Sequence, residues 1–180
     1  MKKFIISKKD WKTFPLNSIE FILKEGKDYH EYTLNESDKI TKRAYSIILI
    51  LFGVLSGVIA YTFNKMVLPC FQPIIFVNFG LVTALTIILF RFGILIFPRT
   101  IKVKGRIPKK IALPQFLNNP KLSKEENYLS FIIQDIEVVQ DKIDFNLVQN
   151  KKRQDKLKFN MITVAILFPI YLIIAFFTTL

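Results

Sequence analysis

Apolar residues gather along this chain in three long blocks, 44–63, 74–97 and 161–180, separated by stretches in which polar and charged positions prevail. Each block reaches the about 20 helical residues needed to cross a hydrocarbon core, so the pattern predicts three membrane spans. The first and third carry no charge. The second holds Arg91 together with Asn78, Thr83 and Thr86, which makes it the polar span of the three.

Outside the spans the period changes. Residues 1–43 predict a helical stem feeding the first span, with Asn17 or Ser18 as cap and Gly26 as a break. Trp11 and Phe14, close to Lys8, Lys9 and Lys12, predict an extreme N-terminus lying along the inner headgroup layer. A short turn, 64–73, joins the first two spans. Residues 98–122 are punctuated by Pro98, Gly105, Pro108, Pro114 and Pro120, and 101–107 alternate apolar with basic residues, the period of a short strand. Ser123 and Glu126 then form a capping box. It opens a stalk helix, 123–160, continuous with the third span at 161–180. The predicted fold is therefore an all-α membrane protein: three transmembrane helices, a long cytoplasmic helical stalk running into the third, and a short basic extended segment.

The stalk carries a seam. Leu129, Ile132, Ile136, Val139 and Ile143 recur at steps of three and four, and Asn146, Asn150, Arg153, Leu157 and Asn160 continue the series with mostly polar residues. The apolar half requires a partner, either a second copy or another helix of the same chain. The polar half, nearest the membrane, is expected to stay solvated.

Composition adds orientation. The 180 residues are 51% hydrophobic, with 26 Lys and Arg against 14 Asp and Glu, a formal charge of +12. Ten of those cations fall in 1–43, one in 64–73 and 14 in 98–160. The positive-inside rule then places the N-terminus and the long loop in the cytoplasm and the C-terminus outward, across a bacterial inner membrane. The apolar run that follows Lys2 and Lys3, Phe4 to Ile6, is too short for a secretory signal.

Chemistry is sparse. His30 is the one histidine and Cys70 the one cysteine, and the predicted topology puts them on opposite sides. Phosphate loops, dinucleotide fingerprints, zincin helices and paired cysteines are all missing from the sequence. The reading is a protein that is not an enzyme and uses no cofactor or metal.

Three constellations remain. Arg99, Lys102, Lys104, Arg106, Lys109, Lys110, Lys121 and Lys124 occupy a run without one acid, and Lys151, Lys152, Arg153, Lys156 and Lys158 form a second cluster. Such bases meet anionic lipid of the bilayer, or a phosphate-rich cytoplasmic ligand. Asn160, Thr163, Leu167, Tyr171, Ile174 and Thr178 share one sector of the third span, as interhelical hydrogen bonding or a pore lining requires. Ser46, Gly53, Gly57 and Ala60 share one face of the first span, a helix-packing surface within the monomer or between subunits. Arg91, on a face with Gly80 and Ala84, either snorkels to the headgroups or sits in a protein interface.

This outline, a basic N-terminal helix, two spans closed by a short turn and cytoplasmic helices over 18–180, resembles the small membrane effectors of bacterial antiphage conflict systems. It is similar to the SLATT-type two-span effectors, from which the third span departs, and to the channel component of the Hailong system. The resemblance implies a homo-oligomeric ion channel gated by a single-stranded DNA or nucleotide signal, bound by positions such as Lys102, Lys104 and Arg106, and a partner nucleotidyltransferase. The alternative is a non-conducting anchor or adaptor that recruits a partner through the stalk seam.

Overall fold

A computed structural model describes residues 5–6, 11–67, 72–97, 100–117 and 119–179. Among these residues four α-helices follow one another: α1 (Leu16–Met66), α2 (Ile74–Ile96), the short α3 (Pro114–Leu117) and α4 (Lys124–Thr179). Single 3-10 turns occur at Trp11–Thr13 and Pro108–Lys110. α1, α2 and α4 are each long and apolar enough to cross a membrane. Cys70, Arg99, Lys8 and Lys9 lie outside the described residues.

Contacts divide the chain into two compact units, Met1–Ser37 with Thr100–Asn150, and Asp38–Arg99 with Lys151–Leu180. In the first, the N-terminal part of α1 packs on the N-terminal part of α4. Ile19 clusters with Leu129, Ile132 and Ile136, a Cβ on Gly26 would lie 3.4 Å from Val139, and Asn146 bonds Thr33. Contacts advance along both helices together, so the pair is parallel. The register is nearly constant: Thr33 and Asn146 are 113 positions apart, as are Ile19 and Ile132, and Gly26 and Val139. The apolar seam of α4 is therefore covered by α1 of its own chain.

α4 starts where the capping box predicts. Glu126 N donates to Ser123 Oγ at 3.1 Å, and Ser123 N donates to Glu126 Oε2 at 2.8 Å. Three expectations change. α1 begins at Leu16, its first turn anchored on the Pro15 carbonyl, which accepts from Ser18 N and Ile19 N. Gly26 does not break α1: it faces Val139 of α4, and packing of the two helices outweighs the about 1 kcal/mol that glycine costs a helix. Trp11 and Phe14 find cover against the Ile19, Leu129 and Ile132 cluster of their own unit, and Lys12 is 2.9 Å from Glu126. Residues 101–107 form no strand among the described residues, because Lys102 pairs its backbone with side chains instead of a neighbouring strand.

In the second unit, Ile40, Ala44 and Leu51 of α1, Leu81, Leu85, Ile88, Phe92 and Leu95 of α2, and Leu157 of α4 form the core. Its outward surface is apolar, with Phe52, Phe90 and Phe177 all mostly exposed, the pattern of helices solvated by lipid. Arg153 closes one end of α2. Its guanidinium donates to the Leu95 carbonyl at 2.7 Å, one of the last-turn carbonyls a helix leaves unpaired, and to Thr41 Oγ1 at 2.8 Å.

Candidate functional site

The basic segment 100–113 lies as a strap on the α1/α4 pair of the first unit. Its anchor is Lys102, whose backbone is held at both polar atoms. The N–H donates to Asn146 Oδ1 at 2.9 Å. The carbonyl accepts from Asn146 Nδ2 at 3.0 Å and from His30 Nε2 at 2.8 Å, which requires a hydrogen on that nitrogen because a carbonyl only accepts. Asn146 and His30 are both buried, and Asn150 Nδ2 donates to the Thr33 carbonyl at 2.7 Å. The polar half of the seam is thus interior in this unit, contrary to the expectation of solvation. The Asn146 amide is satisfied there by the strap and by Thr33, which is what makes burial of an amide tolerable, whereas Asn150 bonds through Nδ2 alone and its Oδ1 stays buried without a partner among the described residues.

Gly105, at φ +73°, turns the strap in a left-handed conformation that glycine adopts without Cβ strain. Lys142 from α4 reaches under it, donating to the Val103 carbonyl at 3.0 Å and to the Gly105 carbonyl. Burial pushes the Lys142 pKa below the usual lysine range, partly opposed by Asp135. Beneath the strap is a cavity of about 460 Å³ whose lining includes Lys27, His30, Glu31, Lys104, Asp135 and Lys142.

Each cation at the centre of the strap has met a carboxylate from a helix. Lys102 pairs with Asp141, Lys104 with Glu31, and Arg106 with Asp135, whose Oδ1 accepts from its Nε at 3.0 Å and its Nη2 at 2.7 Å. These pairs differ in setting. Side-chain exposure is 14% for Arg106 and 18% for Asp135, against 38% and 59% for Lys102 and Asp141 and 53% and 51% for Lys104 and Glu31. Lys109, Lys151 and Lys152 are exposed, whereas Arg153 is committed to α2 in the other unit. For Lys110 only the backbone is described, within its 3-10 turn.

Half of the predicted pore stripe, Asn160, Leu167 and Tyr171, faces its own unit. Asn160 is buried, Leu167 and Tyr171 pack against the core of the second unit, and the Tyr171 hydroxyl donates to Asn78 Oδ1 of α2 at 2.8 Å. Thr163 and Thr178 return their hydroxyls to the carbonyls of Phe159 and Ile174, and Ile174 is half exposed. Interhelical bonding is the role this geometry gives Tyr171. Asn78 Nδ2 stays buried without a partner among the described residues. Ser46, Gly53, Gly57 and Ala60 all lie on the exposed side of α1, and a Cβ on either glycine meets nothing within 4 Å. Arg91 lies with its guanidinium carbon 4.7 Å from the Phe159 ring centroid.

Sequence reasoning missed the residues that seat the strap: His30, Thr33, Glu31, Asp135 and Lys142. A signal for the first two existed. Ile19, Leu23, Gly26, His30, Thr33, Ser37, Ile40 and Ala44 repeat at steps of four and three along α1, the counterpart of the α4 seam. No family model, curated protein or solved structure matches the chain. The functional reading therefore stands on the residues themselves.

Proposed function

We propose that this chain is a subunit of a homo-oligomeric membrane channel whose opening responds to a phosphate-rich anion, a nucleotide or single-stranded DNA, bound at the strap. The observation that carries the reading is the unequal hold on the strap cations. Lys102 and Lys104 are held by carboxylates more than half exposed, and such pairs contribute about 0–1 kcal/mol. A polyphosphate displaces Asp141 and Glu31 at little cost, while the shielded Arg106–Asp135 pair keeps the strap attached. A ligand shifts a conformational equilibrium only by its differential affinity. Here the difference arises because the bound anion frees Glu31 on α1 and Asp141 on α4. In this reading the inward Tyr171 and Asn160 belong to a closed state, and opening turns the polar sector of the third span toward a conduit. An antiphage setting and a partner nucleotidyltransferase follow from the resemblance of outline.

The test is ion flux from proteoliposomes with and without single-stranded oligonucleotides and nucleotides. Flux that responds to the anion, and a response lost in the Lys102→Glu/Lys104→Glu double variant, is the expected result. Absence of flux under every condition refutes conduction. A flux that the double variant leaves equally responsive refutes the strap as sensor. The competing reading, a non-conducting anchor, is favoured by the inward orientation of Tyr171 and predicts no flux at all. Its recruiting surface would have to be other than the Leu129 to Ile143 seam, which the chain itself covers.

A further inference from the structure

In the second unit, Arg91 and Ile94 of α2 and Asp155, Lys156, Phe159 and Asn160 of α4 line a cleft of about 400 Å³. Its charges contrast with those of the strap. Whereas Lys102, Lys104 and Arg106 each have a carboxylate, Arg91, Asp155 and Lys156 enter no ion pair among the described residues. Arg91 is held instead by the face of Phe159 at 4.7 Å, an arrangement that leaves the in-plane N–H donors of the guanidinium available.

The position of the cleft sharpens the contrast. Arg91 precedes the end of α2 at Ile96 by five residues, about 7.5 Å of helical rise. Lys158 is the last charge of α4, and everything after it is uncharged. Arg91, Phe159 and Asn160 therefore lie where hydrocarbon gives way to headgroups, a level at which a guanidinium without an anionic partner is costly. Two cations and one carboxylate around one cleft are complementary to a group that carries both a phosphate and a primary ammonium.

We propose that this cleft binds the headgroup of an aminophospholipid of the phosphatidylethanolamine type. The phosphate lies on Arg91 and Lys156, where charge-assisted and bidentate bonds are strongest. The ammonium donates to Asp155, beside Ile94 on the headgroup side of the cleft, and the start of the acyl chains follows Phe159 toward the hydrocarbon. Phosphatidylcholine, with no N–H, cannot make the Asp155 bond, and phosphatidylglycerol offers Asp155 no cation. The site is independent of whether the protein conducts.

Native mass spectrometry of the full chain, released from micelles containing equal phosphatidylethanolamine, phosphatidylcholine and phosphatidylglycerol, tests the assignment. The expected result is one retained phosphatidylethanolamine per chain, favoured about tenfold over phosphatidylcholine, a preference of roughly one hydrogen-bonded charge. Asp155→Asn removes that preference while lipid is still retained, and Arg91→Gln or Lys156→Gln lowers retention of every phospholipid. Lys156 is exposed, so its variant stays informative even where Arg91→Gln fails to fold. Equal retention of the three lipids by the unaltered chain overturns the proposal, as does phosphatidylglycerol preference or indifference to both Asp155→Asn and Lys156→Gln. Capture of inorganic phosphate at millimolar concentration with no lipid retained overturns it as well, by assigning the cleft to a free anion.

Discussion

Asn146→Ala should release the strap. The side chain is fully buried and makes three bonds, to Lys102 N, to the Lys102 carbonyl and to Thr33 Oγ1 at 3.3 Å. After truncation the Lys102 carbonyl keeps His30, and the Thr33 hydroxyl keeps the His30 carbonyl at 2.7 Å. The Lys102 N–H keeps no partner among the described residues. Orphaning this part-buried donor costs about 1–3 kcal/mol and losing the bond to the Lys102 carbonyl about 1 kcal/mol, while the long 3.3 Å contact with Thr33 adds little, for a total of about 2–4 kcal/mol. At 1.4 kcal/mol per factor of ten, exchange of the strap amides should accelerate by about 30- to 700-fold where opening governs exchange. Hydrogen exchange with mass spectrometry, read on peptides covering 100–107, measures this directly. Asn146→Asp retains an acceptor for Lys102 N but loses both donors and buries a charge, so it should be no better than alanine. Strap exchange within about threefold of the unaltered protein would show that Asn146 is not what seats the segment, and the reasoning from its bonds would fail.

Arg153→Leu should lower thermal stability by about 2–4 kcal/mol in a detergent melt, because two charge-assisted bonds and the closure of α2 are lost together. Gly57→Ile should leave the folded monomer as stable as before, since nothing lies within 4 Å of the added carbon, yet reduce oligomer mass in light scattering if the small-residue face is the subunit interface. Tyr171→Phe should cost about 0.6–1.7 kcal/mol in unfolding from bicelles, the range for interhelical bonds in membranes, because Asn78 then loses its acceptor bond. Lys12 and the Ser123 N–H hold the Glu126 carboxyl below its ordinary value of 4.5. A depressed folded-state value means that the stabilisation is complete above that ordinary value and is lost as pH falls through the depressed one. First-turn amides of α4 should therefore fray in NMR spectra only below about pH 4.5, and Glu126→Gln should remove this pH dependence.

The three spans and the start of α4 were legible because both are local. A hydropathy block and a four-residue capping box need no knowledge of the rest of the chain. The α4 seam was legible as a face but not as an interface, since periodicity identifies which residues seek cover and not what covers them. The matching α1 series was obscured by Gly26, His30, Thr33 and Ser37, residues whose polarity or size argues against a core although their spacing argues for one. Asn146 and Asn150 were misjudged for the same reason. Their burial depends on the Lys102 and Thr33 backbone, 44 and 117 positions away, and no local pattern carries that pairing. The strap alternates like a strand, but a strand exists only beside another, and here side chains took the place of the neighbour.

The ion pairs of the strap also order events in time. Chain synthesis delivers the acid-free run before the carboxylates that neutralise it: Asp135 follows Arg106 by 29 positions, and Asp141 follows Lys102 by 39. Of the three partners only Glu31 has already been made when the run emerges. The same bases are therefore nearly unopposed during translation, when an excess of positive charge bears on how spans are oriented. They are spoken for once α4 is complete. An acid placed early in the run, such as Lys102→Glu, would act on the nascent protein as well as on the finished one, and its effects on insertion and on folding are separable only by supplying the compensating Asp141→Lys change in α4.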